Sequence, residues 1–170
     1  MNETTRQLIV HKVEHNTKRL ITSIKWVIFS IVVGIVAGSC GTAFYFALSV
    51  VTDFRIKYPW LIYFLPIGGL AIVGLYHLCK DDNDTGTNLV ISAIHSGDKV
   101  PFIMAPLIFV STLITHLFGG SAGREGAALQ MGGSIGSSIG RVFRFDEKDK
   151  HVMIMCGMSA AFSALFGTPM

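Results

Sequence analysis

Arg124 and Glu125 are the residues whose type and position point most directly to chemistry. They are the only residues with a fixed charge between Pro101 and Gly140. A charged side chain within a membrane segment is costly and is a candidate functional residue by default. The alternative is an exposed turn at the membrane surface, in which the two side chains form a local ion pair.

The residues around this pair predict an anion-binding turn. Eight glycines fall in the 22 residues from Gly119 to Gly140. A glycine turn that opens a helix leaves several backbone N–H groups without acceptors, and the positive end of the helix dipole adds to their effect. Partial charges of this kind hold an anion without trapping it, as transport requires.

A second glycine pattern predicts helix packing. Gly132, Gly136 and Gly140 repeat every fourth residue and therefore share one helical face, as Gly34 and Gly38 do earlier in the chain. Small residues at this spacing let membrane helices approach closely. We expect these two faces to be packing surfaces. They also support an alternative function for the whole chain, that of a membrane assembly module that transports nothing.

Composition predicts an all-α integral membrane protein. Hydrophobic residues make up 51% of the 170 residues and charged residues only 15%, against about 25% charged in an ordinary soluble domain. A helix needs about 20 apolar residues to cross the bilayer. Gly86–Gly97 is too short for a simple span and is expected to be a re-entrant helix; Gly119–Gly140 is too glycine-rich for one. Four stretches are predicted as spans, the second with a kink near Pro66: Trp26–Val51, Trp60–Cys79, Pro101–Phe118 and His151–Met170.

The distribution of basic residues predicts the orientation. With the amino terminus in the cytoplasm, 11 of the 14 Lys and Arg residues lie inside, in keeping with the positive-inside rule. Residues 1–25 are expected to be a cytoplasmic lead-in, either a helix along the membrane surface or a solvated segment. Residues 26–170 are expected to form the transmembrane domain. The basic clusters thus indicate cell-membrane topology rather than binding to nucleic acid.

The segment Gly123–Ala127, followed by Gln130–Gly136, resembles the Gly-Arg-Glu-Gly-Pro signature of the CLC family of chloride channels and anion/proton antiporters, with Ala127 in place of the final proline. The resemblance implies a CLC-like bundle of tilted and re-entrant helices that forms the first of two inverted repeats. It also implies a homodimer in the lipid bilayer that carries halide and protons. Glu125 would then be the gate, and Gly123, Arg124, Gly126 and Ala127 would lie around the anion.

A second family motif, Gly-Ser-Gly-Ile-Pro, would fall at Gly86-Thr87-Asn88 and the two residues that follow, where only the glycine is identical. Thr87 and Asn88 could contact the anion or simply cap a helix. The missing serine favours the CLC-type fluoride/proton antiporters, whose pattern is similar around Met104–Leu107 and Thr115–Ser121. Chloride remains the family default.

The resemblance covers only the amino-terminal half of a CLC subunit. Because inverted repeats build the transport site at their interface, we expect this chain, which stops at Met170, to be a fragment or one piece of a split subunit that lacks the carboxy-terminal half. We expect transport rather than enzymatic activity, with no cofactor or metal, since neither a phosphate-binding loop nor a metal-ligand spacing is present. Whether the parent is a channel or an antiporter stays open.

Overall fold

A computed structural model describes residues 3–79, 90–92 and 100–168, with the backbone alone over 3–16 and at 18, 19 and 21. Every regular element in these residues is helical, which confirms the predicted all-α fold. They form two compact units, Met1–Val32 and Val33–Met170. The elements are α1 (Glu3–Lys57), a 3-10 helix (Pro59–Phe64), α2 (Leu65–Leu78), α3 (Met104–Leu117), α4 (Arg124–Val142) and α5 (Glu147–Phe166).

Helix α1 runs through both units and is longer than the predicted first span. It contains 55 residues, and its segment Thr22–Lys57 is apolar and long enough to cross a membrane. In the first unit the Lys25 ammonium lies 5.7 Å from the centre of the Trp26 ring. The helix passes through residue 25 without a break, and the division into a lead-in and a transmembrane domain stays a prediction.

Pro59–Leu78 is the second segment that is long and apolar enough to cross a membrane. Pro66 lies in the first turn of α2, where this segment changes from a 3-10 helix to an α-helix, and a kink there stays a prediction. Proline is well suited to that position because its missing N–H would have no helical acceptor there. Gly68 lies under the ring of Phe118, since a Cβ on Gly68 would come within 2.5 Å of Phe118 Cδ2.

The third and fourth predicted spans differ from the observed helices. Helix α3 has 14 residues and is about 21 Å long at 1.5 Å per residue, shorter than the roughly 30 Å hydrocarbon core. Helix α5 begins at Glu147 and ends before Gly167, whose φ of 62° closes the helix in a left-handed cap. The expected re-entrant helix at 86–97 lies outside the described residues except for 90–92, which are helical.

The glycine stripe of α4 packs against α5, as its spacing predicted. A Cβ on Gly132 would overlap the carbonyl oxygen of Gly157, and one on Gly136 would overlap that of Met153. Gly140 faces Lys150, with 3.4 Å from its added Cβ to Lys150 Cγ. Glycine is required at Gly132 and Gly136 because any side chain would push the two helices apart.

No described residue covers the Gly34 and Gly38 face of α1, so its role as a packing surface stays a prediction. A Cβ on Gly34 or Gly38 would have no described atom within 4 Å, whereas one on Gly41 would lie 2.9 Å from the carbonyl oxygen of Ala161. The spacing of small residues shows where two helices can approach closely, but a partner must also be present. In the described chain the α5 partner lies beside Gly41.

Two side chains of α4 also form hydrogen bonds with the segment that precedes α3. The hydroxyl of Ser134, which is fully buried, donates to the carbonyl of Pro101 at 2.7 Å. In the last turn of α4, Arg141 Nη2 donates to the carbonyl of Val100, also at 2.7 Å. These two bonds fix the start of α3 against α4, because a buried carbonyl that loses its donor is expensive.

Candidate anion site at the start of α4

The turn between α3 and α4 depends on glycine. Gly119 has a φ of 82°, a left-handed conformation that glycine adopts at little cost. A Cβ on Gly119 would lie 2.8 Å from Arg55 Nε, so the end of the arginine side chain would have to shift. The N–H of Gly120 then donates to the carbonyl of Thr115 at 2.8 Å and closes the end of α3.

Helix α4 starts with open backbone amides. Gly123 is the N-cap residue, with an extended backbone and no side chain to cap the first turn. In an α-helix the first N–H groups have no intrahelical acceptor, so those of Arg124, Glu125 and Gly126 remain available. Ala127 is the first residue whose N–H reaches an acceptor inside the helix. The sequence prediction of a glycine turn that opens a helix is confirmed.

Glu125 occupies the first turn of α4 and is exposed, as is its neighbour Arg124. Within the described part of the chain, neither side chain makes a hydrogen bond or an ion pair. The local ion pair that the sequence left open is therefore absent from these residues. A carboxylate at this position is favoured by the helix dipole, typically by about 0.3–1 kcal/mol.

A cleft of about 430 Å³ opens beside Glu125, and we call it the Glu125 cleft. It is bounded by the start of α4 on one side, by Tyr45 of α1 and by the carboxyl end of α5. The cleft is open to solvent, since Arg124, Glu125, Tyr45 and Phe166 are all exposed. The lining residues are Tyr45, Gly123, Arg124, Glu125, Gly126, Leu165 and Phe166.

A second cleft, of about 340 Å³, lies against the same helix start between α2, α3 and α4. We call it the Thr112 cleft. It shares Gly123 and Gly126 with the Glu125 cleft, but neither Arg124 nor Glu125 lines it. Its lining residues are Tyr76, Ile108, Ser111, Thr112, Gly123, Gly126, Ala127 and Gln130.

Four of the residues predicted around the anion are therefore brought together at the start of α4: Gly123, Arg124, Gly126 and Ala127. The other three, Gly86, Thr87 and Asn88, lie outside the described residues. Their part in the site stays a prediction. The binding roles of the first four and the gating role of Glu125 are likewise predictions, which the geometry makes specific enough to test.

His116, near the motif, is packed on its own helix. Its Nδ1 lies 2.9 Å from the carbonyl oxygen of Thr112, and it serves as the donor to that oxygen. Among the residues that the structure describes, no three His, Cys, Asp or Glu side chains are grouped as metal ligands.

Sequence reasoning missed the polar residues that α3 presents to the start of α4. Ser111 and Thr112 are both buried and both line the Thr112 cleft. The available signal was a run of polar residues at helical spacing in an apolar stretch, with Thr115 and His116 one turn later. Polar groups in such a stretch face other protein or a wet cavity rather than lipid.

Comparison with known proteins places this arrangement in a family. Residues 68–170 match the family model described as voltage gated chloride channel. A chloride/fluoride channel protein of Pseudomonas syringae pv. tomato is 42% identical over 147 residues, which cover 86% of this chain and 32% of that protein. An H(+)/Cl(-) exchange transporter of Cronobacter sakazakii is 30% identical over 162 residues, 81% of this chain and 32% of that protein.

A solved structure is also similar to this chain. The crystal structure of a CLC-type fluoride/proton antiporter superposes with a TM-score of 0.76 and 41% identity, over 84% of this chain and 36% of that one. The chain thus spans about a third of the length of the relatives that it matches. The resemblance carried by the segment Gly123–Ala127 is confirmed, and the chain belongs to the voltage-gated chloride channel (CLC) family of membrane proteins.

Proposed function

We propose that the full-length protein transports halide ions across a membrane, as a CLC-type channel or anion/proton antiporter gated by Glu125. One observation carries the proposal: a single carboxylate lies in the first turn of an uncapped, glycine-flanked helix and lines a cleft there. When ionised, the carboxylate occupies the region of the open amides. When protonated, it no longer competes with an anion for them.

Fluoride is the proposed substrate to test first, with chloride as the family default. The relatives named above include a chloride/fluoride channel protein and a fluoride/proton antiporter, both above 40% identity. Fluoride is the smaller halide and the stronger hydrogen-bond acceptor, but it is also the more strongly hydrated one, so selection of fluoride requires donors that replace its water. We propose protons as the coupled ion in the antiporter case, and transport without enzymatic chemistry.

The proposed setting is a multi-pass homodimer in the cell membrane with its amino terminus in the cytoplasm. Two described segments are long and apolar enough to cross a bilayer, and most basic residues fall on the cytoplasmic side in this orientation. The remaining part of the site would come from a carboxy-terminal half, as in an inverted-repeat transporter. Cysteine labelling on either side of the membrane would test the orientation.

Halide efflux from liposomes containing the full-length protein tests the transport function. Replacing Glu125 by Gln keeps the shape of the side chain and removes its charge. We expect this variant to lose the coupling of halide movement to a pH gradient, or to lose the pH dependence of a channel. Glu147→Gln is the matched control, because Glu147 lies at the start of α5 in an ion pair with Lys150, with 2.7 Å between Oε1 and Nζ.

Efflux that is unchanged in Glu125→Gln would contradict the gating role. No halide efflux from the unmodified protein would contradict transport itself and favour the assembly module. The glycine stripe of α4 supplies no separate support for that alternative, because α5 of the same chain covers Gly132 and Gly136. Measuring fluoride and chloride in one liposome preparation decides the substrate.

A further inference from the structure

An apolar groove of about 390 Å³ runs along the carboxyl end of α4, at the opposite end of that helix from the two clefts described above. Residues of α1, of the turn before α3 and of α4 form its walls. Two of them, Phe102 and Phe143, are 60% and 50% exposed, so the groove is open on one side. We call it the Arg141 groove, and its apolar lining residues are Val36, Phe102, Ile135, Ile139, Val142 and Phe143.

The groove lies where α4 reaches the boundary of the apolar part of the chain. The sequence from Gly126 to Gly140 has no charged residue, whereas six of the seven residues from Arg144 to Lys150 are charged. Arg141 is the first charged residue after the uncharged stretch, and it lines the groove. A basic side chain at such a boundary holds its charge at the level of the lipid headgroups. From there the groove reaches Ile135, about 9 Å deeper along α4 at 1.5 Å per residue.

The guanidinium of Arg141 is held in place before any ligand arrives. Its Nη2 donates to the carbonyl of Val100 at 2.7 Å, and Val100 is fully buried. Within the described part of the chain this is the one hydrogen bond of the Arg141 side chain, and a guanidinium has five N–H donors. The other donors suit a phosphate, which arginine binds through two parallel hydrogen bonds. Since the side chain is already ordered, little entropy remains to be lost on binding.

The surroundings of Arg141 favour a negatively charged group. Among the described residues, no carboxylate lines the groove, and Glu147 in the next helix is paired with Lys150. Three carbonyl groups at the end of α4, those of Ile139, Gly140 and Arg141, accept hydrogen bonds from the N–H groups of residues 143–145. An anion beside Arg141 therefore meets fewer of the open carbonyls that otherwise make a helix end repel negative charge.

We propose that the Arg141 groove binds one anionic phospholipid, whose phosphate accepts hydrogen bonds from Arg141 and whose acyl chain lies along α4 toward Ile135. Hydrocarbon fills an apolar groove that opens into a bilayer, and a basic residue at its headgroup end selects a lipid with a net negative charge over a zwitterionic one. The lipid also bridges two helices, because Val36 on the opposite wall belongs to α1. This site goes beyond the proposed transport function and does not depend on the role of Glu125.

Native mass spectrometry of the purified full-length protein in detergent, titrated with phosphatidylglycerol or phosphatidylcholine, tests the inference. We expect the unmodified protein to retain phosphatidylglycerol more tightly than phosphatidylcholine. Arg141→Gln should lose one tightly retained phosphatidylglycerol per chain. The affinity at that site should fall about tenfold, which corresponds to about 1.4 kcal/mol and is the size of one hydrogen bond to a charged group. Arg141→Lys keeps the charge and should lose less.

Arg144→Gln is the matched control, because it removes the same charge from an exposed side chain three residues on that does not line the groove. It should change the affinity for phosphatidylglycerol less than about threefold, since an exposed ion pair contributes little. Ser138 also lines the groove, so Ser138→Leu narrows it without changing any charge. This variant should lose the same lipid, and it keeps the test decisive if Arg141→Gln does not fold.

Three results would each overturn the inference. Equal losses in Arg141→Gln and Arg144→Gln would show attraction by the basic cluster as a whole rather than a site. Equal retention of the two lipids by the unmodified protein would show that Arg141 selects no charge. Full retention of phosphatidylglycerol by Ser138→Leu would show that the groove holds no lipid, as when the carboxy-terminal half of the full-length protein covers it.

Discussion

Replacing Gly136 by alanine is expected to destabilise the protein, because the new methyl group would overlap the main chain of α5. Its Cβ would overlap the carbonyl oxygen of Met153 and would lie 2.9 Å from the carbonyl carbon of that residue and 3.1 Å from Ile154 Cα. Ordinary contacts of a Cβ atom lie at 3.4–4 Å. All three atoms belong to the backbone of a helix, so none can rotate away as the end of a side chain would.

The size of the effect follows from this overlap. To restore normal contact, α4 and α5 must separate by roughly 1 Å, and a gap of that size removes a quarter to a half of the attraction between the facing atoms. Overpacking a core costs about 1–3 kcal/mol, and a backbone overlap falls at the upper end. Alanine has a higher helix propensity than glycine, which offsets about 1 kcal/mol of this cost. The net loss in the free energy of unfolding is about 2 kcal/mol.

Thermal unfolding of the purified full-length protein in detergent measures this loss. The entropy of unfolding is about 2.1 cal/mol/K per residue, so in a full-length protein about three times as long as this chain a change of about 2 kcal/mol lowers the midpoint by on the order of 2 °C. Gly74→Ala is the control, because a Cβ at Gly74 in α2 has no described atom within 4 Å, and the propensity gain should raise its midpoint or leave it unchanged. A Gly136→Ala protein that melts at or above the unmodified protein would refute the reasoning.

Two pairs of substitutions test the hydrogen bond from α4 to the segment before α3 and the turn between α3 and α4. Ser134→Ala removes the hydrogen bond to Pro101 and should lower the free energy of unfolding by about 1–3 kcal/mol. Ser138→Ala removes only a bond within α4 and should lower it by less than about 1 kcal/mol. Equal midpoints of thermal unfolding for the two variants would contradict this comparison. Gly119→Ala should cost about 1–2 kcal/mol for its positive φ alone, against less than about 1 kcal/mol for Gly123→Ala, where φ is −71°. Chemical denaturation that gives Gly119→Ala the smaller loss would disprove the second comparison.

The local features of the site could be predicted from the sequence, because each depends on a few adjacent residues. Glycines on either side of Arg124 and Glu125 allowed the turn and left the helix without a capping side chain. The spacing of Gly132 and Gly136 predicted one face of α4 without side chains, against which another helix can pack closely. These patterns express backbone freedom and helical periodicity, which residue type alone determines.

Contacts between distant parts of the chain could not be predicted in this way. Gly34 and Gly38 have the same spacing as the α4 stripe, yet only Gly41 has α5 as a neighbour. Ser111 and Thr112 looked like ordinary polar residues in an apolar helix, because the cleft that they line is formed together with α2 and α4. The length of α3 was overestimated since apolar residues before Met104 lie in the turn that precedes the helix.

The two uses of glycine in α4 depend on each other. Open amides at the start of a helix favour an anion only if they are held in place before it arrives, since each donor that must be reoriented reduces the gain. The close packing of Gly132 and Gly136 on α5 and the bond from Ser134 to Pro101 supply that rigidity from the middle of the helix. Gly136→Ala should therefore weaken halide binding as well as lower the midpoint of thermal unfolding, although it lies about 18 Å from Arg124 along the helix, at 1.5 Å per residue. Gly74→Ala should change neither halide binding nor, beyond its propensity gain, stability.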